Sequence, residues 1–214
     1  MKRFFSVVAI AIVAFAIGIR WITKRSFSPP TQFITVGPYT EKERGTVATL
    51  EEILRSKNDN DPRLDHDFND LSPNEKLLFV QKYNEIPEEN RNERGTIVYL
   101  LGRNLRTHQD WEFLHFVVHE PPCLSLANCT QKASPGSDEE ATGDEVTLAY
   151  PSLVALRQAR RALEDARAHR VSAQDASASA TEREALDLFS AAKNSKTRAV
   201  ARMAALLEKK FGPR

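Results

Sequence analysis

Sixteen consecutive apolar or small residues, Phe4–Ile19, lie between Lys2-Arg3 and the group Arg20, Lys24 and Arg25. No other feature restricts the chain as much. As a helix the run measures about 24 Å. Including Trp21 and Ile22 brings it to about 28 Å, close to a hydrocarbon core of about 30 Å. Arg20 can snorkel toward the headgroups, and Trp21 falls where an interfacial aromatic is favoured. Residues 1–25 therefore read as a signal-anchor or transmembrane segment. The alternative is a cleaved signal peptide, because Ala14-Phe15-Ala16 and Ala16-Ile17-Gly18 carry small residues at peptidase spacing. That alternative makes the mature chain a soluble secreted or periplasmic protein. Flanking charge nearly ties across the segment. A short charged N-terminal tail favours a single-pass membrane protein with its body exported to the periplasmic or extracellular side.

The remaining residues have the profile of a folded chain. Of the 214 residues, 28% are charged and 41% hydrophobic. The net charge of +1 conceals a gradient. Residues 26–130 hold 17 acids against 11 bases, and residues 148–214 hold 13 bases against 7 acids. Such halves attract different partners.

Residues 26–46 contain Ser28-Pro29-Pro30 and Gly37-Pro38 and read as an extended spacer. Helix signals then dominate, and alternating strand patterns are missing, so the fold class is all-α. Thr49…Glu52 and Ser72…Glu75 have capping-box spacing, and Asp61-Pro62 and Ser72-Pro73 place a cap before a proline. Asn92–Leu105 is helical, Thr107…Asp110 opens another helix, and Pro121-Pro122 stops it. A helical subdomain over 47–122 is thus followed by an acidic loop with a cysteine pair over 123–147. A C-terminal helical subdomain over 148–214 completes the chain. In the latter, Pro151–Arg170 places Leu153, Leu156, Ala159, Leu163 and Ala166 on one stripe, with Arg160/Glu164 and Arg161/Asp165 as exposed pairs. Val171–Ala180 reads as a loop or frayed end, Thr181…Glu184 as a capping box, and Ser195 as the cap of a last helix reaching about Lys210.

The run Arg94-Gly95-Thr96-Ile97-Val98-Tyr99-Leu100-Leu101-Gly102, with the Trp111–Val118 helix after it, resembles one HEAT/armadillo-type helical repeat spanning residues 94–118. The resemblance implies stacked helical hairpins and a scaffold that binds a protein partner on a helical surface.

Candidate chemistry centres on the His108–His119 helix. His108, Glu112, His115 and His119 share one stripe about 60° wide, and nearly everything else on the helix is apolar. His115 and His119 at i,i+4, with Glu112, form a possible metal set, with zinc as the implied ion. The spacing is not His-Glu-x-x-His, so no general base stands where that mechanism needs one. The other reading is a helix with one solvated polar stripe. Cys123 and Cys129 can close a disulfide worth about 2 kcal/mol by the chain-entropy model, or remain free thiols or metal ligands. Asp59, Asp61, Asp65, Asp67 and Asp70 lack calcium-loop spacing and read as caps and solvated surface. The last helix places Val200, Met203, Leu206, Leu207 and Phe211 on one face. Opposite them lies a basic surface of Arg198, Arg202 and Lys209, suited to packing with a solvated stripe or to anionic lipid. No phosphate loop, nucleophile elbow or dinucleotide fingerprint occurs, and an exported body makes nucleic acid an unexpected partner. These features favour a membrane-tethered interaction or scaffold module that needs no cofactor. The alternative is a metal-dependent exported enzyme using the His115/His119/Glu112 stripe.

Overall fold

Thr40 and Glu43 close the first capping box: Glu43 N donates to Thr40 Oγ1 and Thr40 N donates to the Glu43 carboxylate. They start α1 (Glu41–Ser56). The computed structural model describes residues 39–134, 136, 139–170 and 175–212. The anchor segment over 1–25 and most of the spacer span lie outside the described residues. Helix α1 nevertheless begins inside residues 26–46, at Glu41. Thr49 is mid-helix, its hydroxyl donating to the Gly45 carbonyl. Two Thr-x-x-Glu boxes follow one another at 40–43 and 49–52. The earlier one wins because the extra turns bring Val47 against the core.

The next elements are α2 (Arg63–His66), α3 (Pro73–Glu85), α4 (Arg91–Gly102) and α5 (His108–Val118). Ser72/Glu75 and Thr107/Asp110 form the expected capping boxes. Lys76 of α3 ties these pieces together, 2.8 Å from Asp110 Oδ2. The buried Asn104 carboxamide accepts from Leu71 N and donates to the Phe68 and Leu100 carbonyls. The loop after α5 carries the short α6 (Glu139–Thr142) and α7 (Glu145–Leu148). Then come α8 (Tyr150–Ala168), α9 (Ala176–Ala192) and α10 (Arg198–Phe211). Among the described residues the chain is all-α, and no helix is long and apolar enough to cross a membrane.

Helix α8 is the centre. It packs on α4, α5, α9 and α10, and every residue from Pro151 to Leu156 is buried. A helix start apolar on all sides belongs inside a protein, and each fully buried leucine there contributes about 1.5–3 kcal/mol. Ser152 Oγ donates to the Val117 carbonyl at 2.9 Å, satisfying an end of α5 that Pro121-Pro122 prevents from continuing. The helices of 47–122 and 148–214 consequently share one core rather than two. Leu153, Leu156, Ala159 and Leu163 are buried in it, and the Arg160/Glu164 and Arg161/Asp165 pairs lie outside at 3.7 and 3.9 Å.

Two further starts differ from their sequence signals. Helix α9 begins at Ala176, capped by Asp175 Oδ1 accepting from Ala178 N, so the alanine-rich part of 171–180 is partly helix and Thr181 is interior. Alanine is the best helix former and a capping aspartate precedes the run. Helix α10 has Thr197 as its N-cap, while Ser195 Oγ accepts from Thr197 N one step earlier.

Candidate functional site

The histidine stripe on α5 runs along the border with α9: His115 is half-buried there, while His108, Glu112 and His119 are exposed. His108 Nδ1 lies 2.9 Å from Glu184 Oε1, and its Nε2 is 3.7 Å from Glu112. The hydrogen bond to Glu184 raises the His108 pKa above its ordinary value. His115 Nε2 is 3.6 Å from Asp187 Oδ2, and burial holds that imidazole below its ordinary value against the pull of Asp187. His119 Nδ1 donates to the His115 carbonyl at 2.7 Å, and the two rings stack with centroids 6.3 Å apart. Among the described residues no group of three or more His, Cys, Asp or Glu is arranged to hold a metal ion. The His115/His119/Glu112 set is not gathered into such a group: Glu112 lies 3.7 Å from His108, and His115 lies 3.6 Å from Asp187 on another helix. The acids of α9 decide this, and nothing local to α5 announces them.

Cys123 and Cys129 form a disulfide with an S–S distance of 2.04 Å. The loop is held to the body where Cys129 N donates to Glu89 Oε1 at 3.0 Å, just before α4. Next to it lies a buried ionic group that the sequence reading missed. Glu120 pairs with Arg94 and sits 4.0 Å from Arg91, and the Arg94 guanidinium lies 4.0 Å over the fully buried Tyr83 ring. Burial pushes the Glu120 carboxyl above its ordinary range, opposed by both arginines, and pushes the Tyr83 phenol well up. The sequence signal was present as two arginines at i,i+3 leading into the apolar face of α4. Their positions hold α3, α4 and the end of α5 together.

Two glycines of α4 set its distance from α8. A Cβ on Gly95 would lie 2.4 Å from the Tyr150 ring, and one on Gly102 would lie 2.5 Å from Gln158 Cβ and Cγ. Both partners, eight residues apart on α8, are seated in notches on the repeat-like run. They line a cleft of about 440 Å³ whose other wall is the loop before α2 and α2 itself, including Asp59 and Asp65. Within it Tyr99 Oη donates to Asp65 Oδ1 at 2.7 Å, and Arg103 pairs with the same carboxylate at 3.2 Å. Gln158 is only 7% exposed, and its Oε1 has no hydrogen-bond partner. Of the aspartates read from sequence as caps and surface, Asp59, Asp61 and Asp65 border the cleft, and Asp61 also pairs with Arg63.

On α10, Val200, Leu207 and Phe211 are buried and Met203 is partly so, but Leu206 is 62% exposed. It falls in the same stripe as Arg198, Arg202 and Lys209, all exposed and without ion pairs. The apolar face is therefore narrower than its sequence suggests, because Ala204 rather than Leu206 meets the neighbouring helices. No family model matches the chain, and no curated protein or solved structure matches it.

Proposed function

We propose that this protein is a membrane-tethered helical interaction module, anchored by residues 1–25 with its body exported. In this reading it offers the outer face of α10 to an acidic protein partner. The observation that carries the reading is Leu206, exposed between the unpaired cations Arg202 and Lys209, with Arg198 a further turn along. An exposed leucine ringed by charge is the pattern of a contact anchor with a polar rim. Unpaired cations add steering toward an acidic surface. The Cys123–Cys129 disulfide supports an oxidising compartment for the body. The repeat-like α4–α5 pair supports a scaffold role, as the HEAT/armadillo resemblance implies.

A photoreactive residue at position 206, activated in intact membranes, tests this reading. A single protein adduct that disappears in the Arg198→Glu/Arg202→Glu/Lys209→Glu variant supports it. Adducts to lipid alone, or a protein adduct unchanged by charge reversal, overturn it. Lipid adducts would instead assign the stripe to an anionic membrane surface.

A further inference from the structure

We propose that the cleft between α8, α4 and the loop before α2 is a saccharide-binding site. Gln158 is the first reason. A buried acceptor left unsatisfied costs about 1–3 kcal/mol, so in a cleft wall it calls for a partner from outside the chain. Gln158 lines that wall, and its Oε1 is buried without a hydrogen-bond partner among the described residues. The second reason is that the site is already built. Gly102 seats Gln158 and Gly95 seats Tyr150, so both side chains are held before any ligand arrives. Preorganised groups lose little freedom on binding.

The third reason is the chemistry of the lining. Asp59, Asp65, Arg157 and Gln158 all carry planar groups with two polar atoms side by side. That shape matches pairs of neighbouring hydroxyls, each of which both donates and accepts. Tyr99 and Tyr150 add ring surface suited to the C–H face of a sugar ring. Net charge does not single out an ion. Asp65 is engaged by Arg103 and Asp61 by Arg63, and the exposed Arg157 shares the cleft with Asp59. A neutral, hydroxyl-rich ligand satisfies these groups without leaving an unmatched charge. A volume of about 440 Å³ lies within the range of small-molecule sites.

The test uses the full chain in a detergent without a sugar headgroup. Saturation-transfer NMR and calorimetry are run with D-glucose, N-acetyl-D-glucosamine, cellobiose and chitobiose, and with L-alanine as a zwitterion control. Saturable binding of at least one sugar is expected, weakened at least tenfold by Gln158→Leu, which keeps the volume and removes the amide. If Gln158→Leu disturbs the α4–α8 contact, Arg157→Ala, at an exposed and unpaired position, must still weaken binding at least threefold. Overturning results are no saturable sugar binding, binding indifferent to Arg157→Ala, or L-alanine binding as tightly as the sugars.

Discussion

Helices α4 and α10 both rest on α8, but they use it differently. Helix α4 is buried on nearly every side, including Arg91, Arg94 and both of its packing glycines. Helix α10 buries Val200, Ala204, Leu207 and Phe211 and leaves the rest to solvent. The first is held by shape and by a buried ionic group, the second by one apolar stripe. The contrast shows that charge in a sequence does not by itself mark a surface. An arginine can be interior if a carboxylate from another helix meets it there, as Glu120 meets Arg94.

The largest test of that contrast is Glu120→Ala. Removing one partner of a buried ionic group strands the other charges and should cost about 3–5 kcal/mol in urea unfolding. A loss under about 1 kcal/mol, the scale of an exposed pair, would show that the group is solvated and that α4 resembles α10 after all. On α10, Leu207→Ala should cost about 2–5 kcal/mol, and Leu206→Ala less than about 0.5 kcal/mol. Equal losses at the two positions would break the one-stripe description.

The glycines come next. Gly102→Ala pushes a Cβ into the Gln158 stem and should destabilise by about 1–3 kcal/mol. Gly45→Ala, on α1 with nothing within 4 Å, should stabilise by about 0.5–1 kcal/mol. Thermal melts of the two variants should move in opposite directions.

The smallest effect belongs to α5, and its sign differs between two histidines. His115 has a lowered pKa in the folded state. Its contribution to stability is therefore fully present above about pH 6.5 and is lost as pH falls through the lowered value. His108 has a raised pKa, so its contribution is fully present below about pH 6.5 and is lost as pH rises through the raised value. His115→Gln should make stability less sensitive to acid, and His108→Gln less sensitive to mild alkali. Urea midpoints measured from pH 5 to 8 resolve the pair. Identical profiles for the two variants would remove the α5–α9 electrostatic contact from the account.

Much of the helical layout was legible because its signals are local. Ser72/Glu75 and Thr107/Asp110 cap where their spacing says, since a capping box needs only four neighbouring residues. The α8 stripe and its i,i+4 pairs were legible for the same reason. Thr49 and Thr181 misled because the same four-residue pattern fits a helix interior. Only the turns added upstream, with Val47 and Ala178 gaining buried contacts, decide between the two. The candidate site was less legible. A disulfide was one of the readings open for the cysteine pair, and the basic stripe of α10 followed from its periodicity, but the cleft could not be found that way. Gln158 and Asp65 are far apart in sequence, and neither belongs to a motif.

The sequence by itself determined an all-α body, the starts of α3, α4, α5 and α8 to within a residue, and the amphipathic direction of α10. Those properties follow from backbone caps and from 3.6-residue periodicity. Tertiary structure alone decided that Arg91 and Arg94 are interior, that His108 and His115 meet acids of another helix, and that two glycines open a cleft beside an unsatisfied glutamine. Each of those outcomes depends on groups far apart in the chain meeting at a few ångströms. Burial and partner, not residue type, then set what each group can do.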